Sequence, residues 1–363
     1  MAETKNIDAV AGIISSRIFR ELKWQSNKHT DLNWACCVDA HLKHNQKEKT
    51  HPTDVVFFYK DPYSDIYQYI QTDLKSYSKS TIESYQYNEI QKTIKSLAQQ
   101  VDCSVRNTEW QDLFLNDKKE KFQVHGMLFI YNHDNEYDNN LLSKLSSILS
   151  SDLQFPLNSC LFILDPRSIR FLLSVTEDIL KRRNYESFNG QVEEMLWEKI
   201  PAWEECGFFY PDKHNKLASK DRKLPATLEM ITSGMLFFQY SHDFIRDHNG
   251  AAITNKLLNI YWEEEIDREE QFVFLIEYIF NYQLLSQFDK IFIVTPFSCD
   301  STKYLDSAIK TYSKLYSFTL DKLNKLKGQL HNISIDSTTS SIFPFRVISK
   351  DVKKLCDFSG DVQ

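Results

Sequence analysis

Two aspartates nineteen residues apart, Asp54 and Asp73, with Lys75 two residues beyond the second, form the pattern in this sequence with the clearest chemical content. The runs Thr53–Tyr59 and Ile66–Lys75 flank Lys60–Asp65 (KDPYSD), which is turn chemistry with a proline after aspartate. A hairpin turning near Pro62 and Tyr63 pairs residues whose numbers sum to about 125–127, so Asp54 and Asp73 fall opposite each other. Opposed positions place Cβ atoms about 4.5–5.5 Å apart. Two carboxylates that close repel unless a cation lies between them, and a divalent metal ion is the usual solution. Lys75 shares a strand face with Asp73, because residues i and i+2 point the same way. Two acids and a lysine around a metal ion can hydrolyse a phosphodiester. The ion neutralises phosphate charge and acidifies a water, and the lysine orients the nucleophile or stabilises developing charge.

The elements that must position these residues are readable in outline. Residues 6–24 place Ile7, Val10, Ile14, Ile18 and Leu22 near helical spacing. Trp34–Ala40 reads as a short strand, and Ser80–Val101 as a helix with Ser80 as N-cap and Glu83 at the capping-box position. Gln123–Tyr131 is a further strand. Beyond it, the pattern predicts helix 140–151, strand 159–164 and helix 167–183. Residues 184–226 are polar, with three prolines and a basic run from Lys213 to Lys223, and read as an insertion or connection. Then follow strand 232–240, helix 253–285, strand 290–296, helix 302–327 and strands near 331–336 and 342–348. The expected organisation is α/β: domain 1–183, connecting region 184–226, and a smaller α/β domain 227–363 for recognition or partner binding. The acidic run Glu263–Glu265 is expected on the face of a helix.

Helix, three strands, helix, strand, with Pro52-Thr53-Asp54 and then Asp73-Leu74-Lys75, resembles the PD-(D/E)xK nuclease superfamily, the restriction-endonuclease-like fold. The resemblance covers about residues 6–165. It implies an αβββαβ core, with the first acid at the start of the second strand and the second acid and lysine on the third. It departs in having Thr53 between Pro52 and Asp54. By this resemblance Asp54, Asp73 and Lys75 are catalytic, and Glu21, near the end of the first helix, is the match for a further acid. Asp54, Asp73, Glu21 and the backbone carbonyl of Leu74 would hold Mg²⁺, with Mn²⁺ as substitute. The implied activity is a metal-dependent nuclease, DNA favoured, in restriction or anti-phage defence. The alternative is a catalytically silent scaffold or binding subunit of a complex.

Bulk properties exclude other classes. Eight glycines in 363 residues, no two forming G-x-G, rule out the dinucleotide fingerprint and the P-loop. No G-x-S-x-G supports a hydrolase triad. Seven cysteines without C-x-x-C, no basic segment leading into an apolar core at the start, and no apolar run of spanning length suggest a reduced, cytoplasmic chain with no membrane role. Cys36, Cys37, His41, His44 and His51 gather potential ligands. No spacing among them matches the structural zinc patterns, so no zinc site is expected. His51 could reach a phosphate, and Tyr77, Ser78 and Lys79 a nucleic-acid backbone. The net charge of −7 implies that a protein partner subunit or homodimer completes a basic channel for nucleic acid.

Overall fold

The structure is a computed structural model that describes residues 2–41, 49–84, 87–142, 153–183, 206–216, 224–246, 252–298 and 301–335. It divides into two compact units between Arg170 and Phe171. The first opens with helix α1 (Ala2–Glu21), which buries Val10, Ala11, Ile14 and Ile18 at helical spacing. Lys23 ends it in the left-handed region at φ 64°, and Trp24 then stacks on Phe19 and on Tyr59.

The chain continues through β1 (Gln25–Ser26), β2 (Leu32–Ala35), β3 (Thr50–Thr53), β4 (Val55–Lys60) and β5 (Tyr67–Tyr77). Helices α2 (Lys79–Ser84), α3 (Tyr87–Ser104) and α4 (Thr108–Phe114) precede β6 (Phe122–Asn132) and β7 (Leu161–Leu164). The main sheet has the order β1-β4-β5-β6-β7, and β2 and β3 form a separate antiparallel ribbon. The first two contacts of the main sheet are antiparallel and the last two parallel. The αβββαβ order is therefore present, but its first strand is Gln25–Ser26. Trp34 sits instead on the ribbon, where its indole donates to Thr53 Oγ1. The expected helix from Ser80 is two helices, and Ser78, not Ser80, caps the first by accepting from Thr81 N–H.

The β4–β5 hairpin fixes the site. Its pairs run from Val55↔Thr72 to Lys60↔Tyr67, a constant sum of 127, as the turn residues predict. Asp61 closes the turn: its Oδ1 accepts from Tyr63 N–H, and its own N–H donates to Ile66 O. One face of the sheet packs Val56, Phe58 and Tyr69 with Val101, Trp110 and Phe114. On the same strand the opposite-pointing Phe57 meets Phe19 of α1. Ile90, Ile94 and Leu97 of α3 pack with Leu128 and Ile130 of β6. Helix 140–151 falls mostly outside the described residues.

Helix α5 (Pro166–Arg183) leads into the second unit, which contains β8 (Cys206–Phe209), α6 (Leu228–Thr232), β9 (Met235–Arg246) and β10 (Ala252–Trp262). Then come α7 (Glu269–Asn281), α8 (Leu284–Gln287), β11 (Lys290–Thr295), α9 (Thr302–Leu315), α10 (Leu320–Gln329) and β12 (Leu330–Ser334). Its sheet runs β8-β9-β10-β11-β12, again with two antiparallel contacts followed by two parallel ones. The two units thus share a sheet topology. The core joins Leu258, Ile260, Ile291 and Ile293 to Phe272, Leu275 and Ile276 of α7.

Three expectations change here. Residues 252–262 are a strand, not the start of a helix from 253. Their run of buried residues reflects a strand covered on both faces, a pattern that short apolar runs share with helices. The acidic Glu263–Glu265 consequently lies in the β10–α7 connection. Cys206–Phe209, inside the expected connecting region, is an edge strand of the second sheet, so that unit begins well before residue 227. The expected helix 302–327 breaks at Ser317, φ 51°. Within the basic run Lys213 pairs with Glu229, while 217–223 and the strand at 342–348 lie outside the described residues.

Candidate active site

The sheet brings Asp54, Asp73 and Lys75 together. Asp54 stands one step beyond the last β4–β5 pair, Val55↔Thr72, and so faces Asp73. Its Oδ2 accepts from Leu74 N–H at 2.7 Å. Lys75 Nζ contacts Asp73 Oδ1, with the lysine side chain about a third exposed and the aspartate largely covered. That Oδ1 is shielded from water, and Lys75 is its charge partner without a well-formed hydrogen bond. A covered carboxylate oxygen whose partner is an ammonium sits where a cation is favoured, because such an oxygen is costly without a positive partner.

The Leu74 carbonyl is the natural further oxygen. In a strand the N–H and C=O of one residue point to the same flank. Leu74 N–H points to the flank that β4 has left, toward Asp54, and its carbonyl shares that direction. Two carboxylates and a backbone carbonyl are the hard oxygen set that suits Mg²⁺.

Burial pushes the Asp54 carboxyl above the usual carboxylate range, the Leu74 N–H opposes this, and the nearby charge of Asp73 adds to it. Asp31 contributes in the same sense. A raised acid pKa means that the stability this group confers is present at low pH and is lost as pH rises through its folded pKa. Asp54→Asn keeps an acceptor for Leu74 N–H and removes the charge. In chelator it should melt higher than the wild type at pH 7, with the advantage shrinking toward acid pH. Thermal melts across pH check this, and a difference independent of pH would contradict it.

Glu21 is not brought to this site. Its Oε1 accepts from Arg20 Nε, and its side chain is buried at the end of α1 that adjoins Trp24 and the Tyr59 end of β4. The part of α1 beside the site is Gly12, where an added Cβ would stand 3.9 Å from Leu74 Cδ1. Nine residues at about 1.5 Å each put Glu21 about 13 Å further along the axis. The helix runs the length of the hairpin, and the acid is at its far end. His51 is also displaced from its expected role: it is buried beside Trp34 rather than available to a phosphate. Lys79 uses its backbone N–H on Asp134 Oδ2.

Several supporting residues escaped the sequence reading. Asp31, at φ 53°, donates its N–H to Asp54 O. Gln71 precedes Asp73 by two residues on the same face, and its position was therefore readable from strand periodicity. Its Nε2 donates to Thr53 Oγ1 at 2.7 Å and Gln100 Oε1 at 2.9 Å, and its Oε1 accepts from Trp110 Nε1 at 3.1 Å. Thr53 Oγ1 also accepts from Trp34 Nε1. This buried network fixes Thr53, the residue before Asp54. At the same end of the sheet, Ser76 Oγ meets His133 Nδ1 at 3.3 Å.

The second sheet shows a contrasting end. One step beyond its last β9–β10 pair, Met235↔Trp262, Gly234 stands where Asp54 does, and Glu263 N–H bonds Gly234 O. Glu263-Glu264-Glu265 occupies the place of Asp-Leu-Lys, so neither the first acid nor the lysine is present there.

No helix among the described residues is long and apolar enough to cross a membrane. Among curated proteins no match to the chain was found. Residues 1–168 match the family model described as the GAPS4 protein PD-(D/E)XK nuclease domain, the span that holds α1, the hairpin with Asp54, Asp73 and Lys75, and β6 and β7. Residues 1–168 therefore belong to the PD-(D/E)XK nuclease domain family of GAPS4, an anti-phage defence protein.

Proposed function

We propose that the chain is a divalent-metal-dependent nuclease that hydrolyses phosphodiester bonds of nucleic acid, DNA foremost, in anti-phage defence. The observation that carries this reading is the pairing of Asp54 with Asp73 across the hairpin, with a shielded Asp73 Oδ1 held by the Lys75 ammonium. Asp54, Asp73 and the Leu74 carbonyl would hold Mg²⁺ or Mn²⁺. Bound there, the ion would neutralise phosphate charge and make a water more acidic.

The chain's own groups supply the rest. Lys75 places a cation on the strand face of Asp73, where it can orient the attacking water and stabilise charge on the phosphate. The Gln71–Thr53 network holds Asp54 in register, so that binding does not spend energy on ordering it. Asp54 and Asp73 repel a polyanion until a cation is bound, which makes nucleic-acid binding follow metal binding. The acidic chain is expected to complete its nucleic-acid channel with a protein partner subunit or a second copy of itself. The second unit, lacking the acid and lysine at the matching end of its sheet, serves recognition or partner binding.

The test is cleavage of plasmid, single-stranded DNA and RNA by the full chain with Mg²⁺, with Mn²⁺ and with chelator. Metal-dependent cutting is expected, with DNA cut fastest. Cutting that persists in chelator would contradict the metal dependence, and cutting of RNA alone would overturn the substrate preference.

A further inference from the structure

A second cluster of metal-ligating side chains lies apart from Asp54 and Asp73 in chemistry. Cys36, His41, His51 and Cys103 each offer one ligand atom, and the four atoms all lie within 4.8 Å of one another. They arrive from four places in the first unit. Cys36 follows β2, His41 closes the short helical turn Asp39–His41, His51 lies on β3, and Cys103 is in the last turn of α3. His41, His51 and Cys103 are buried.

The distances fit one small ion. Zinc–sulfur bonds of about 2.3 Å and zinc–nitrogen bonds of about 2.0–2.1 Å give tetrahedral edges of about 3.3–3.8 Å. Cys36 Sγ and Cys103 Sγ are 3.8 Å apart, and Cys36 Sγ and His41 Nδ1 are 3.6 Å apart. Both match the corresponding edges. A second observation points the same way: His51 is 1 % exposed and its Nε2 is buried with no hydrogen-bond partner among the described residues. A buried imidazole nitrogen without a partner is costly, and a metal bond removes that cost.

The surroundings complete the pattern. His41 Nε2 lies 3.4 Å from Asp102 Oδ2, leaving Nδ1 for the ion. Carboxylates commonly orient ligating histidines in this way. Asp102 is itself held by Arg106. Cys37 N–H donates to Cys103 Sγ at 3.1 Å, a contact that steadies a thiolate. Two thiolates with Zn²⁺ are neutral overall, so the set can be buried without a net charge. Soft sulfur with imidazole selects zinc over Mg²⁺, and four protein ligands leave no open position for a substrate.

We propose that Cys36, His41, His51 and Cys103 form a structural Cys₂His₂ zinc site. The ion ties the β2–β3 ribbon to the end of α3. His51 is three residues before Asp54 on the same stretch of chain, so the zinc holds the segment that presents the first acid. This proposal does not depend on the nuclease reading. The competing use of Cys103 is a disulfide with Cys37, whose Sγ lies 3.3 Å away. That bond would leave His51 Nε2 and the converging histidine His41 unexplained.

The experiment is metal analysis of the full chain, purified without chelator, beside Asp73→Ala, Cys36→Ser and His41→Ala. One zinc per chain is expected in the wild type and in Asp73→Ala, and less than about a tenth of that in the other two. Should those two variants fail to fold, Co²⁺ exchanged into the wild type decides. Thiolate-to-cobalt charge-transfer absorption with the strong visible bands of a tetrahedral ion would support the site. Folded wild type that holds no zinc and gives no such absorption would overturn it. So would zinc retained in full by both folded ligand variants, or a Cys37–Cys103 disulfide found by mass spectrometry of the chain without reductant.

Discussion

Asp73→Ala should lower nucleic-acid cleavage on the order of 10³-fold or more while the chain stays folded. The substitution removes the oxygen that is shielded from water and paired with the Lys75 ammonium. It takes away a ligand of the ion and the anchor of Lys75 together, so the loss should appear in kcat/KM. The fold should tolerate the change, because in the metal-free chain Asp73 and Asp54 repel each other across the hairpin, and Lys75 reaches solvent once released. A melting temperature equal to or above that of the wild type, measured in chelator, is the expected companion result. A silent variant that has also unfolded would say nothing for the site, and an active folded one would remove Asp73 from it.

Gln71→Leu should act through stability first. Gln71 is fully buried, and its amide joins Thr53, Gln100 and Trp110 in one network. Leucine fills a similar volume but leaves the Gln100 carbonyl and the Trp110 N–H without partners in a dry interior. Each such orphan costs about 1–3 kcal/mol, so a loss of about 3 kcal/mol is expected in denaturant unfolding. Thr53 keeps its bond from Trp34 and shifts less than it would if both donors were lost. Cleavage should fall by about 10–100-fold in the fraction that remains folded, the effect of loosening a group that supports a metal ligand. Thr53→Val, which removes the acceptor shared by Gln71 and Trp34, should resemble it. A Gln71→Leu chain as stable and as active as the wild type would show that the network is incidental.

The hairpin was legible in the sequence because both of its determinants are local. A turn built on Asp61 and Pro62 sets the register, and the period of two sets the face, so the pairing of Asp54 with Asp73 followed from residue numbers alone. Glu21 was misplaced because its burial depends on the helix face, which periodicity reveals. Its distance from the hairpin's open end depends on how α1 lies along the sheet, which periodicity does not reveal. Gln100, Cys103 and Trp110 come from helices that pack onto the ribbon from about fifty residues away in sequence. The cluster of Cys36, His41, His51 and Cys103 is therefore not legible from Cys36, Cys37 and the nearby histidines alone. Strand β10 was read as helix because Leu257, Leu258, Ile260 and Tyr261 are buried on both faces, and a continuous apolar run carries no period. The shared topology of the two sheets was hidden by that error, since it removed the hairpin partner of β9.

The proposed activity requires a divalent ion bound between Asp54 and Asp73, a property that needs neither substrate nor partner. Calorimetric titration of the chelator-stripped full chain with Mn²⁺, alongside folded Asp73→Ala, measures it directly. Saturable binding by the wild type is expected, weakening toward acid pH as Asp54 takes up a proton, with binding lost in Asp73→Ala. Equal binding by both chains, or none by a folded wild type, would contradict it.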